Sequence, residues 1–187
     1  MNKLILVVLL GLASAQLQSV QTLNVTQYLG NWYEVASSPW VHLTFEKDAF
    51  CNRATYGLQQ DGNLSVLNME RYGSPSGEIK QITGYAYIPN PELPGQLKVH
   101  LEGAPFEYAD YWIVQLGPVK NEQYQWAIVS EPSKFFMWVL ARDPVEYNLL
   151  YATQVQNTVT NTLQFDGRFN SYVVRPWTGC VPYNNTQ

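Results

Sequence analysis

Positive charge is sparse in this chain. Eleven Lys and Arg stand against fifteen Asp and Glu, for a net charge of −4, and no basic run exceeds two residues. That excludes the electrostatic footprint of a nucleic-acid binder and of a protein that settles on an anionic membrane. Histidine is as scarce, with His42 and His100 alone. His42 reads as a loop residue and His100 as an outward residue of a strand, so neither is read as a ligand or base. No His, Cys, Asp or Glu group has metal spacing, and no GxSxG, P-loop or GxGxxG stretch occurs. No catalytic set is predicted, and no metal or cofactor. Beyond the first fifteen residues no apolar run is long enough to cross a membrane, so no integral membrane segment is expected.

Those first fifteen residues, "MNKLILVVLLGLASA", read as a secretory signal peptide. Lys3 supplies the positive start, Leu4 to Leu12 the apolar centre, and Ala13-Ser14-Ala15 the small-residue cleavage site. Residues 16–187 are then expected to form one secreted, extracellular domain. Three glycosylation sequons begin at Asn24, Asn63 and Asn184, each in a turn or terminus. Cysteine is limited to Cys51 and Cys180. In an oxidising compartment two cysteines most simply make one disulfide. The alternative is a reactive thiol, but neither has a CxxC partner or an adjacent histidine. A bridge would close a loop of about 130 residues, for which chain entropy gives roughly 4–5 kcal/mol as an upper figure.

Aromatic residues make up 14% of the chain, as many as all charged residues together. They lie in β-prone segments broken by short polar turns: "NWYEVAS", "FCNRATYGL", "LSVLNMERY", "EIKQITGYAYI", "QLKVHLEG", "YADYWIVQLG", "YQWAIVSE" and "FFMWVLAR". The fifth alternates cleanly, with Leu97, Val99 and Leu101 opposite Lys98, His100 and Glu102. Eight strands joined in order predict an all-β, up-and-down antiparallel barrel, with a β-sandwich as the competing architecture. "DPVEYNLLYATQVQN" then predicts one α-helix, capped by Asp143 with Pro144 in its first turn. Its stripe of Val145, Leu149, Ala152 and Val155 is expected to face the outside of the barrel. "RFNSYVVRPWTGC" adds a short strand and carries Cys180 back toward Cys51.

This arrangement resembles the lipocalin family. Gly30-Asn31-Trp32 matches the family's G-x-W signature at the start of strand one. "YEVASSP" and "FEKDAFCNRATYGLQQDG", with Ala54-Thr55-Tyr56, are similar to the apolipoprotein D and bacterial lipocalin branch. Arg142 in "WVLARDP" matches the arginine that ends strand eight. One departure stands out. The family's T-D-Y motif after strand six is replaced by Leu116-Gly117-Pro118, since Asp110-Tyr111 comes too early. Recognition by a receptor, linked to that region in the family, is therefore not carried over.

The resemblance implies a cup closed at one end by Trp32, with Arg142 across the indole and Gly30 allowing close backbone approach. It also implies a carrier for a small hydrophobic ligand such as a fatty acid, sterol or retinoid, rather than an enzyme. Phe136, Trp138 and Leu140 share the parity of Arg142 and should line the lumen. Trp138 is the leading ligand contact, because that branch has a tryptophan there. Val99 and Leu101, Tyr56, Tyr85 and Tyr87 are expected inward as well. Trp112 and Trp126 are placed inward too, with the opposite parity on strands six and seven left open. The alternatives are an isomerase-type enzyme on the same fold, or a filled barrel that binds through its loops.

Overall fold

The computed structural model describes residues 16–183; the segment read as a signal peptide and the Asn184 sequon lie outside them. Alternation and turn chemistry produce eight barrel strands: β1 Gly30–Ser37, β2 Ala49–Leu58, β3 Leu64–Tyr72, β4 Glu78–Tyr87, β5 Gln96–Leu101, β6 Ala109–Leu116, β7 Trp126–Ser130 and β8 Met137–Ala141. Each pairs antiparallel with the next, and β8 returns to β1 with Tyr33 opposite Ala141. The sheet is thus a closed barrel, and the sandwich is excluded. Between β6 and β7, Val119–Lys120 pairs with Gln123–Tyr124 around Asn121 and Glu122, both at positive φ. Two left-handed residues are what a tight two-residue hairpin requires.

Three irregularities shape the cup. Register shifts fall between Glu34 and Ala36 in β1, Phe50 and Arg53 in β2, and Ile113 and Gln115 in β6. The β2 bulge holds Cys51 at φ 57° and aims its sulfur at the bond to Cys180, formed across 129 residues. A final short strand, β9 Val173–Val174, pairs with Ala36 and Ser37 beyond the stretch of β1 that β2 covers.

Two apolar cores result. One fills the closed end of the barrel and includes Tyr28, Trp32, Tyr56, Ile113, Val129 and Leu140. The other lies between the barrel's outer face and the C-terminal helices and includes Trp126, Ile128, Met137, Tyr147, Val155 and Val159. Helix α1 Val25–Tyr28 crosses beneath the barrel, and α2 Pro39–Thr44 follows β1 near its mouth.

The predicted C-terminal helix is there, but it is interrupted. It runs as α3 Pro144–Leu150 and α4 Ala152–Asn157, then a π-turn over Thr158–Thr162. Asp143 caps α3, accepting from the N–H groups of Val145 at 2.7 Å and Glu146 at 3.0 Å. The buried stripe differs from the expected one. Val145 and Leu149 are exposed, at 68% and 78%, while Tyr147, Val155 and Val159 are buried. Tyr147 is the reason. Its ring covers more of the barrel than Val145 could, and its hydroxyl is satisfied by that of Tyr172 at 3.3 Å.

Candidate functional site

The floor of the cup is a stack. The Arg142 guanidinium lies 3.7 Å over the Trp32 ring and donates to the carbonyls of Tyr124, Asn31 and Gln27 at 3.1, 2.7 and 3.0 Å. Trp32 Nε1 donates to the Tyr28 carbonyl at 2.8 Å. Gly30 sits at φ 92°, and a Cβ there would meet Arg142 at 3.4 Å. Burial pulls the Arg142 guanidinium down to about 10, against the pull of nearby tyrosines, so it remains charged at neutral pH.

Above the indole, three tyrosines meet. Tyr111 takes the hydroxyl of Tyr56 at 2.9 Å and shares a hydrogen bond with Tyr28 at 2.7 Å. Burial pushes all three phenols up, Tyr56 to about 12, so each stays neutral. They give the bottom of the lumen a small polar pole.

Over this floor opens a cavity of about 690 Å³, a volume suited to one small molecule. Ala54 and Tyr56 of β2, Val66 and Asn68 of β3, Val99 and Leu101 of β5, and Tyr111 of β6 line it. Phe136, Trp138 and Leu140 cover the side of β8. Phe45 and Phe106 approach from the loops. The cavity therefore gathers six of the residues singled out in the sequence: Tyr56, Val99, Leu101, Phe136, Trp138 and Leu140.

Four others lie elsewhere. Tyr85 and Tyr87 point outward from β4, where Tyr85 meets His100 at 5.2 Å and Tyr87 meets Tyr108 at 5.7 Å between ring centroids. The inward positions are Ile82, Gly84 and Ala86; a Cβ on Gly84 would strike the His100 carbonyl. Gly84 and Ala86 keep that wall of the lumen low, while the rings of Tyr85 and Tyr87 pack outside. Trp112 and Trp126 face the C-terminal helices along with Val114 and Ile128. Their large apolar surface fills the gap between barrel and helix, and Tyr111, Ile113, Ala127 and Val129 turn inward instead.

The mouth holds a polar cluster that the sequence did not disclose. Glu34 of β1, at 3% exposure, accepts from Ser37 and from the Asn52 amide, and lies 3.5 Å from Arg175 Nε. Glu46 accepts from the same amide and from Trp138 Nε1 at 3.1 Å. His42 is not a free loop residue. It sits in α2, with Nε2 2.8 Å from Ser37 Oγ and Nδ1 4.0 Å from Glu46. Burial and Arg175 push His42 down. Glu34, His42 and Glu46 bring three ligand-type atoms within 4.8 Å, a grouping that spacing did not predict. The Asn52 NH2 group bridges the two carboxylates, and Arg175 supplies a positive charge beside them. Ser37, His42 and Glu46 stand in the order of a hydrolytic trio. The Ser37 hydroxyl is fully buried and bonded to Glu34, so it presents no nucleophile to the cavity. Cys51 is in the disulfide and offers no thiol. Parity on β1 and β2 aligns Glu34 with Trp32 and Asn52 with Ala54, the one signal that pointed here.

Comparisons with known proteins agree with this geometry. The family model described as a lipocalin-like domain matches residues 23–166. The outer membrane lipoprotein Blc of Vibrio cholerae is 38% identical over 132 residues, 70% of this chain and 72% of its own. Apolipoprotein D of Rattus norvegicus is 32% identical over 131 residues, 66% of this chain and 63% of its own. Among solved structures, the tryptamine complex of the amine-binding protein of Rhodnius prolixus superposes with a TM-score of 0.57 at 12% identity, covering 89% of each chain. That last likeness is one of fold.

Proposed function

This chain belongs to the lipocalin family, and we propose that it is a carrier for one small hydrophobic molecule held in the cup. The observation that carries this reading is the cavity of about 690 Å³ over an intact floor. Its middle is apolar, through Val66, Val99, Leu101 and Leu140, with tyrosine hydroxyls below and a tryptophan near the mouth. Affinity comes from removing ligand surface from water, about 25 cal/mol per Å² before ordering costs. The ligand class named from the sequence, a fatty acid, sterol, retinoid or similar lipid, belongs to this proposal. So does export: Met1–Ala15 would direct secretion, and Asn24, exposed beside α1, would accept a glycan. Asn63 is the weaker acceptor, since its amide nitrogen donates to Asp61 at 2.8 Å. The open lumen disfavours a filled barrel that works through its loops alone.

Titration of tryptophan fluorescence with apolar ligands tests the reading. Trp138→Ala should weaken binding by about tenfold, a loss of roughly 1.4 kcal/mol, because the indole walls the cavity. Tyr87→Ala should bind like the unaltered protein, because its ring faces away. No response to any apolar ligand would overturn the carrier reading.

A further inference from the structure

Glu46 presents a carboxylate at the mouth of the cup, and two N–H groups hold it in place, from Trp138 and Asn52. An ionised carboxylate accepts about four hydrogen bonds, so acceptor positions remain free. Its charged and titratable neighbours come from every element around it. Glu34 stands on β1, His42 on α2, and Arg175 on the C-terminal segment. Arg175 contacts Glu34 rather than Glu46, and His42 is held down by burial and by Arg175. Among the described residues, Arg175 is the one cation beside the two carboxylates. A buried charge without a partner is costly. The aromatic rings beside it are placed to receive a cation: Trp138 bonds Glu46 directly, and Phe136 stacks 6.0 Å from Trp138 and 4.8 Å from Phe45. Two cations, Arg53 and Lys80, line the cavity as well, and each packs on a tyrosine ring. Arg53 lies over the Tyr183 ring at 4.6 Å, and Lys80 over the Tyr72 ring at 3.1 Å.

We infer that the cup selects an amphiphile with a protonated amine head, its tail in the apolar lumen and its ammonium paired with Glu46 among the rings of Phe45, Phe136 and Trp138. The inference rests on the carrier reading and narrows it. A carboxylate head at the same place forms no ion pair with Glu46 and repels it once it ionises, and a hydroxyl head gains hydrogen bonds only. Burial and Glu34 push the Glu46 carboxyl up, so an incoming ammonium displaces a proton, and amine binding should tighten as the pH rises.

The test is displacement of the neutral dye Nile red by three ligands of one chain length, dodecylamine, dodecanol and laurate, near neutral pH. In the unaltered protein the amine should displace at about tenfold lower concentration than the alcohol or less, with laurate weakest. In Glu46→Gln the ratio of amine to alcohol affinity should fall to about one. The ligand series in the unaltered protein decides the matter even where the variant does not fold. Laurate binding as tightly as dodecylamine would overturn the amine inference and leave the carrier reading standing. So would an amine preference that survives in Glu46→Gln. Failure of Nile red and all three ligands to bind would overturn both.

Discussion

At the scale of single residues, Arg142 shows how one side chain closes a barrel. It makes three charge-assisted hydrogen bonds to carbonyls of three separate segments and covers the Trp32 face. Arg142→Gln keeps some polarity but loses the fork and the ring contact. Urea unfolding should show a loss of about 2–4 kcal/mol; a loss under about 0.5 kcal/mol would assign the floor to Trp32 packing alone. Glu46 carries a different signature. Burial and the Glu34 carboxylate push its carboxyl well above the ordinary 4.5. The folded chain then keeps a proton that the unfolded chain has released. Its contribution is full below pH 4.5 and is lost as the pH rises toward the folded-state value. Glu46→Gln is neutral throughout, so its urea midpoint should fall less than the unaltered protein's as the pH rises above 4.5. Parallel profiles would contradict this.

At the scale of elements, the legible strands were those with a charge or an anchor to orient them. β5 was readable because Lys98, His100 and Glu102 oppose Leu97, Val99 and Leu101. β8 was readable because Arg142 had to reach the floor. β4, β6 and β7 carry apolar or aromatic residues on both faces, so their parity was set by what lies outside. On β6 and β7 the C-terminal helices drew Trp112 and Trp126 outward. On β4 the close approach of the β5 backbone requires glycine at 84, and Ile82 and Ala86 on the same parity turn inward. Helix α3 misled in the same way, since Tyr147, outside the expected stripe, is the residue that packs on the barrel. Thermal or urea unfolding separates the two stripes. Leu149→Gln on the exposed face should change stability by less than about 0.5 kcal/mol. Val159→Ala under the barrel wall should cost about 2–3 kcal/mol. A larger cost at Leu149 than at Val159 would place the helix the other way round.

At the scale of the whole molecule, the barrel and its closed end were written locally: a strand, a turn, a G-x-W, an arginine. The mouth was not. Its cluster is assembled from β1, α2, β2, β8 and the segment after β9, so residues as distant as Glu34 and Arg175 meet only once the barrel has closed and the disulfide holds the tail. The cup that results has a sealed, hydrogen-bonded base, an apolar middle and an acidic, aromatic opening. Such a vessel should keep its cargo through purification. Native mass spectrometry of the protein from its own source, compared with the denatured chain, tests that most directly. The account predicts a native mass exceeding the denatured mass by one molecule of a few hundred daltons, roughly what a cavity of this size holds. Equal masses, in fresh protein and after incubation with each apolar ligand class, would contradict it.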